Sequence, residues 1–204
     1  MTRSIVAATA NPKKLAEIEA IFGRVAGGVE LAPRPAGLAD VVEDGDTLRA
    51  NAALKAEAVA SAAGLPAIAD DTGLEVDALD GAPGVRSARF AGDHATDADN
   101  VDLLLARLDG RTDRRARFRT VICLAAPGRE PVFADGVCEG SILLAPRGDG
   151  GFGYDPVFVP DDGDGRSFAE MTAEEKHAIS HRGRAMSAAA EMLDDFLAHG
   201  DVDG

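Results

Sequence analysis

The chain has 204 residues, of which 46% are hydrophobic, and its formal net charge at pH 7 is −14. This length fits one domain with a sizeable core. The strong negative charge argues against sequence-independent binding to DNA, because a duplex would repel such a surface. No apolar run approaches the roughly 20 residues of a membrane span, and the N-terminal segment, residues 1–8, is too short for a signal peptide. We therefore expect a cytoplasmic protein without a membrane or nucleic-acid partner.

The charged residues are unevenly distributed, with 23 Asp against 12 Glu and 17 Arg against 4 Lys. Adaptation to high salt would produce such a surface, because carboxylates stay hydrated and their repulsion is screened. A GC-rich genome would favour the same residues through its codons, and both explanations stay open. Since Arg is the default cation here, a retained Lys is a candidate for a compact charge on phosphate. The four lysines are Lys13, Lys14, Lys55 and Lys176.

The first elements alternate between strand and helix. Residues 4–8 are predicted to form a short buried strand. Asn11 is a good N-cap and Pro12 suits the first position of the helix that follows. Residues 33–45 read as an acidic loop, and residues 47–63 as an alanine-rich helix.

The remaining elements complete an α/β pattern. Strands are predicted at residues 66–69, 74–79, 116–126, 130–144 and 156–159. Helices are predicted to begin at Thr96, at the capping box Thr172-x-x-Glu175 and at Ser180. This pattern predicts an α/β fold with a mixed central sheet flanked by helices. We expect a single domain over residues 1–199, followed by a polar tail at residues 200–204.

The two cysteines, Cys123 and Cys138, lie in separate predicted strands without a CxxC motif or clustered histidines. A disulfide is not expected in a reducing compartment, and a structural metal site is expected even less.

A phosphate-binding segment is one interpretation of residues 9–14, because they follow a strand and open a helix, where N–H groups and the helix dipole favour anions. Lys14 in the first turn would be unfavourable beside that dipole unless an anion lies between them. The alternative is a solvated pair of lysines on a surface helix. The spacing and the glycines are wrong for a P-loop.

Four carboxylates are candidate magnesium ligands, because this cation takes one or two carboxylates together with phosphate oxygens and water. Asp70 and Asp71 are the strongest candidates, since adjacent acids between a buried strand and a predicted glycine turn are otherwise costly. The other two candidates are Glu43 and Glu75, and Glu43 alone would carry little information because acidic loops are common in this chain.

Other residues have both a functional and a structural interpretation. Lys55 could face the acidic turn or be an exposed helix lysine. Phe152 and Tyr154, in a glycine-rich loop, could stack on a base or fill the core. His181 and Arg182 could donate to a carbonyl or phosphate, or face solvent.

The motifs taken together resemble the inosine triphosphate pyrophosphatase family, and they span most of the chain in family order. The matching segments are Thr9-x-Asn11-x-x-Lys14, Asn51-Ala52-x-x-Lys55-Ala56, Ala69-Asp70-Asp71-Thr72-Gly73-Leu74, Gly81-Ala82-Pro83-Gly84-x-x-Ser87-Ala88-Arg89, Phe152-Gly153-Tyr154-Asp155-Pro156 and Glu175-Lys176-x-x-x-Ser180-His181-Arg182. Members hydrolyse non-standard purine nucleoside triphosphates to the monophosphate and pyrophosphate.

The resemblance implies a role for each segment. Glu43 and Asp71 would bind magnesium, Asp71 would orient or deprotonate the attacking water, and Lys55 would neutralise phosphate charge. The substrate-binding residues implied by the resemblance are Thr9, Ala10, Asn11, Pro12, Lys13, Lys14, Thr72, Phe152, Gly153, Tyr154, Asp155, Lys176, His181 and Arg182. The first six of these would hold the phosphates, and Phe152 to Asp155 with the last three would form the base pocket.

The resemblance further implies a homodimer with an elongated sheet and an active site in a cleft between two lobes. Two positions depart from the family pattern: Ala10 replaces a frequent glycine, and Ala50 replaces a common glutamate. Other hypotheses are a Maf-type pyrophosphatase with another base preference and a non-catalytic nucleotide-binding protein. The aromatic and Ser180-His181-Arg182 segments argue against the first, and Asp71 argues against the second.

Overall fold

The computed structural model describes residues 3–25 and 27–198, and the predicted tail at residues 200–204 lies outside them. In the first part of the chain the elements are β1 (Arg3–Ala7), α1 (Pro12–Val25), β2 (Val29–Ala32), α2 (Leu48–Ala63), β3 (Ala67–Val76) and β4 (Pro83–Gly84). They continue with α3 (Asp97–Arg107), β5 (Arg115–Ala125), β6 (Val132–Ile142), β7 (Phe158–Pro160), α4 (Ala173–Ile179) and α5 (His181–Ala198).

The strands form one sheet in the order β2-β1-β3-β5-β6-β7, with β4 added beside β3. β1 pairs in parallel with both β2 and β3. β4 is antiparallel to β3, and β7 is antiparallel to β6. The sheet is therefore mixed, which confirms the predicted α/β class.

The chain divides into two compact units. The first consists of the described residues up to Asp71, residues 120–136 and the described residues from Ala185 onward, and the second consists of residues 72–119 and 137–184. Each unit has its own apolar core. The first core packs β-strand residues such as Ile5 and Ile122 against helical Phe22 and Phe196. The second contains Leu74 and Leu104 together with a group of aromatic side chains. The predicted single domain and cleft between lobes stay predictions.

Most predicted helices and strands are confirmed. Asn11 Oδ1 accepts from the backbone N–H groups of Lys13 and Lys14 at 2.9 and 3.2 Å, so it caps α1. Thr47 caps α2, and Gly64 ends this helix with φ of 64°. The capping boxes at Thr96 and Thr172 are both formed.

The predicted acidic turn between two strands is wrong. Residues 67–76 form the single strand β3, which carries Asp70 and Asp71 in its interior. Lysine side chains from two helices reach these carboxylates, which allows a strand to bury both acids. The predicted strand at residues 156–159 is shifted, because residues 155–157 form a 3-10 turn before β7. β2 was not predicted.

Cys123 lies in β5 and Cys138 in β6, and both are free and buried. Burial raises the pKa of the Cys123 thiol to about 12 and that of Cys138 to about 11. Among the described residues, no helix combines the length and apolar character needed to cross a bilayer.

Candidate active site

Helix α2 presents two buried polar side chains in a row of small residues. Asn51 and Lys55 are one turn apart, so they lie on the same face of the helix. Asn51 is fully buried and Lys55 is 8% exposed. The alanines around them leave space for these longer side chains, and Thr47 fixes the start of the helix by accepting from the Ala50 N–H at 3.1 Å.

Lys55 joins two of the predicted metal-binding carboxylates. Its Nζ lies 2.9 Å from Asp71 Oδ1 and 3.3 Å from Glu43 Oε1. Asn51 Nδ2 donates to the other carboxylate oxygen of Asp71 at 3.4 Å, and Asn51 Oδ1 accepts from the Gly45 N–H at 2.9 Å. The structure therefore gathers strand β3, helix α2 and the acidic loop around one carboxylate.

Burial and charge act against each other in this cluster. Burial lowers the pKa of Lys55, but the attraction of Asp71, Asp70 and Glu43 outweighs it, so the pKa of Lys55 lies above its ordinary value. Burial raises the pKa of Asp71, with Lys55 and Lys14 opposing the shift. Because three carboxylates surround Lys55, we assign a charged lysine, and an excess of negative charge that a cation would relieve.

Lys14 pairs with the second acid of β3. Its Nζ lies 3.7 Å from Asp70 Oδ2, and Asp70 is 2% exposed. A lysine in the first turn of a helix is unfavourable beside the positive end of the helix dipole unless an anion lies near it. In the structure this anion is the carboxylate of Asp70. Successive side chains in a strand point to opposite faces, and the two neighbouring acids accordingly contact lysines from different helices.

The segment before α1 is open to solvent. Ala10, Asn11, Pro12 and Lys13 are exposed, and Thr9 Oγ1 accepts from the Asn11 N–H at 3.2 Å. One part of the phosphate argument is wrong, because the first-turn N–H groups of the helix already donate to the Asn11 side chain. Phosphate binding by this segment stays a prediction.

Glu75, the fourth candidate metal ligand, has a different partner. It belongs to the second unit, where its Oε1 lies 3.4 Å from Nε of Arg119. This ion pair accounts for the carboxylate, and we leave Glu75 out of the proposed metal ligands.

The second unit brings together the predicted base-binding residues. Lys176 Nζ lies 2.7 Å from Asp155 Oδ2 and 5.1 Å from the centre of the Phe152 ring. Asp155 Oδ2 also accepts from the Phe152 N–H at 2.9 Å. Arg182, only 2% exposed, lies 5.7 Å from the same ring and donates from Nη2 to Thr72 Oγ1 at 3.2 Å. A half-buried aromatic ring thus lies beside two buried cations.

Tyr154 and His181 are both buried in the second unit. Tyr154 belongs to the second core, and its hydroxyl donates to the Ser87 carbonyl at 2.9 Å. Burial raises the pKa of this phenol above its usual range. The His181 ring stacks on Phe118, with centroids 4.5 Å apart and planes at 15°. Of the open interpretations, the structure favours the core for Tyr154 and excludes solvent exposure for His181.

Two buried polar residues were missed by the sequence reading. Asn51 occurs in a matched motif but was given no role, and its one-turn spacing from Lys55 in a helix of small residues could have revealed it. His177 is 9% exposed on α4, one position after Lys176. No pattern in the sequence distinguishes this histidine from an ordinary surface residue of a short helix.

The carboxylates in the first unit suit a hard divalent cation. Among residues 3–25 and 27–198, no group of three or more His, Cys, Asp or Glu side chains is arranged to hold a metal. Glu43 and Asp71 nevertheless place two oxygen donors against one ammonium group. Two carboxylates completed by phosphate oxygens and water are what Mg²⁺ usually requires, so these residues fit it.

Comparisons with known proteins find relatives over most of the chain. The Ham1 family model matches residues 5–192. A dITP/XTP pyrophosphatase of Deinococcus deserti is 52% identical over 91% of this chain and 87% of that protein. One from Streptomyces coelicolor is 46% identical over 97% of this chain and 100% of its own. The solved HAM1 protein of Coxiella burnetii has 40% identity and a TM-score of 0.85, over 95% of this chain and 99% of that chain.

Proposed function

The chain belongs to the Ham1 family, and we propose that it hydrolyses non-standard purine nucleoside triphosphates, namely ITP, dITP and XTP, to the monophosphate and pyrophosphate. This reaction would clear deaminated purines from the nucleotide pool. The observation that carries the proposal is the contact of Lys55 Nζ with both Asp71 and Glu43, because it supplies metal-binding and phosphate-neutralising groups in one cluster.

Glu43 and Asp71 would hold the magnesium ion. When bound, magnesium polarises phosphoryl oxygens and lowers the pKa of a bound water. The grouping of the acids supports this assignment, because a buried carboxylate beside a second carboxylate is stabilised by an added cation. The donor set contains only oxygen, which favours magnesium over softer metals.

The side chains of the first unit would carry the hydrolysis. Phosphoanhydride cleavage depends on positioning and charge neutralisation more than on covalent chemistry. We assign Asp71 to orient the attacking water and accept its proton, because it is a carboxylate in this cluster beside the proposed metal. Lys55 would neutralise charge on the phosphates, and the exposed segment from Thr9 to Lys14 would bind the triphosphate.

The side chains of the second unit would bind the base. Phe152 offers a half-buried ring for stacking, and Lys176 and Arg182 lie close to this ring as obligate donors. Donors favour a purine with a carbonyl group at position 6, as in inosine and xanthine. Asp155 would act by holding Lys176 and the Phe152 backbone in place.

A nucleotide panel tests the proposal. Pyrophosphate release from ITP, dITP, XTP, GTP and ATP is measured with magnesium and with excess EDTA. We expect rapid release from the first three only, and loss of activity in EDTA that magnesium restores. Binding of ITP without pyrophosphate release would instead favour the non-catalytic nucleotide-binding protein. Preference for other nucleotides would favour the Maf-type enzyme.

We also propose a homodimer and a cytoplasmic location, on the resemblance and the composition described above. Light scattering on the purified protein tests the first, with an expected mass of twice the 21.0 kDa chain.

A further inference from the structure

The loop of residues 151–155, here called the aromatic loop, is tied to a helix that has no assigned role. The backbone N–H of Gly153 donates to Asp97 Oδ2 at 2.9 Å. Asp97 is the first residue of α3, and its position is fixed by the capping box of Thr96 and Asp99. A rigid helix end thus holds the backbone of the loop next to Phe152.

Helix α3 also reaches the loop by a second route. Asn100, which is 3% exposed, accepts from the Ala91 N–H at 2.8 Å and donates to the Ala88 carbonyl at 3.2 Å. These contacts hold the turn that contains Ser87, whose carbonyl accepts from the Tyr154 hydroxyl. Tyr154 is therefore anchored through the same helix that anchors Gly153.

The loop needs such anchors because its backbone is unusual. Gly151 and Gly153 have φ of +70° and +61°, a region that favours glycine. A Cβ on Gly151 would collide with Asp155 Oδ2. Since two flexible glycines flank Phe152, the direction of its ring depends on contacts made from outside the loop.

We propose that Asp97 is a positioning residue that sets the place of Phe152 and thereby the selectivity for the purine base. The inference rests on the proposed function, since it assigns Phe152 to the base. Asp97 acts through the Gly153 N–H and does not touch the reacting phosphates. Its loss therefore weakens binding of the preferred base, while the rate of cleavage at saturation is unchanged.

The test compares Asp97→Ala, Asp97→Asn and the control Asp102→Ala, which removes an exposed carboxylate from the same helix. Loss of one hydrogen bond corresponds to a rise of about fivefold in KM for ITP. We expect this rise in Asp97→Ala with unchanged kcat and a smaller effect on ATP, so that the ratio of kcat/KM between ITP and ATP falls. Asp97→Asn retains an acceptor oxygen and is expected to behave like the wild type, as is Asp102→Ala.

Two structural measurements accompany the kinetics. Tyr154 is the only tyrosine and the chain has no tryptophan, so intrinsic fluorescence reports on this loop alone. Titration with IMP is expected to change the emission of the wild type at lower concentration than that of Asp97→Ala. Hydrogen exchange at residues 151–155 is expected to speed up in Asp97→Ala only, and Asp97→Asn provides the comparison if the alanine variant folds poorly.

The outcomes separate the two claims. No pyrophosphate release from ITP by the wild type overturns the proposed function. An active wild type with unchanged KM, selectivity and exchange in Asp97→Ala overturns the role of Asp97. An Asp97→Asn variant as impaired as Asp97→Ala also overturns it, because charge rather than the hydrogen bond would then be responsible.

Discussion

The side-chain amide of Asn51 donates to Oδ2 of Asp71 at 3.4 Å, whereas Oδ1 of the same carboxylate faces Lys55. Both partners come from one face of α2, so this helix determines how the carboxylate is oriented. Asn51 is fully buried and also binds the Gly45 N–H of the acidic loop. It therefore links the orientation of Asp71 to the loop that carries Glu43.

The first prediction follows from this link. Asn51→Ala removes a hydrogen bond to the carboxylate and one to the loop, and we expect kcat for ITP to fall about tenfold, as the loss of one such bond implies. The magnesium concentration for half-maximal rate should rise as well, because Glu43 and Asp71 are no longer held together. Steady-state assays over a magnesium titration provide the measurement. Unchanged kcat and magnesium dependence would show that Asn51 only packs the core.

The second prediction concerns Asp71 itself. Asp71→Asn should reduce turnover by about 100-fold or more, since it removes the proposed proton acceptor and a metal ligand. The thermal midpoint should change little, because Asp70 and Glu43 remain to stabilise the charge of Lys55 and repulsion among the three acids is reduced. Glu57→Gln, on the exposed face of α2, makes the same change in charge and should leave turnover intact. Near-normal rates for Asp71→Asn at saturating magnesium would contradict the assignment of Asp71 as proton acceptor and metal ligand.

The third prediction separates Lys55 from Asp71 by pH. Lys55→Met leaves the buried carboxylates without their main cation, and breaking such a pair costs about 3 kcal/mol of unfolding free energy at neutral pH. The folded-state pKa of Asp71 is raised, and it would be raised further without Lys55. Below the unfolded pKa of about 4 this carboxyl is neutral in both the folded and the unfolded protein, so the variant has no charge penalty there. The deficit should therefore grow as pH rises through the folded pKa.

Thermal midpoints of Lys55→Met and the wild type at pH 4.5 and 7.5 measure this effect. The difference between the two proteins should be smaller at pH 4.5. A difference that is constant with pH would mean that Lys55 stabilises the fold by packing, and not by its charge.

The fourth prediction concerns salt. The chain has 35 acidic against 21 basic Lys and Arg side chains. If the acidic surface reflects a saline cytoplasm, the thermal midpoint should rise steadily from dilute buffer to molar KCl as repulsion is screened. A midpoint that is flat or falls above about 0.1 M, where the screening length is about 10 Å, would favour the explanation from genome composition.

The sequence predicted the helices more accurately than the acidic strand. The helix starts at Asn11, Thr47 and Thr96 follow from local capping chemistry, which a sequence shows directly. β3 was divided in two because adjacent acids and a glycine normally mark a turn. Its continuity depends on Lys14 and Lys55 reaching it from distant helices, and such pairing has no local signal.

The candidate site shows the same division. The motifs pointed to Lys55, Asp71, Phe152 and Arg182, and the structure buries or half-buries each of these four side chains. The contacts that orient them could not be read from spacing, because Asp97 lies 56 positions from Gly153 in the chain. Contacts over such a separation depend on the tertiary fold alone.

The last prediction is the order of substrates. Lys176 and Arg182 can only donate hydrogen bonds, and both lie beside the Phe152 ring, so a purine stacked there should carry an acceptor at position 6. The amino group of adenine would place N–H against N–H, and such a mismatch can reduce kcat/KM by a factor on the order of 10⁴. Guanine shares the carbonyl at position 6, so this position alone does not exclude GTP. We therefore predict a second hydrogen-bond donor near position 2 of the purine, which tolerates a hydrogen atom or an oxygen as the substituent there and rejects an amino group. We expect kcat/KM for ITP and XTP far above that for GTP, with ATP lowest or near it. Phe152→Leu keeps an apolar side chain without the stacking face, and should raise KM for ITP while the order is kept. Comparable efficiency of the wild type on ATP and ITP would overturn both the donor assignment and the proposed function.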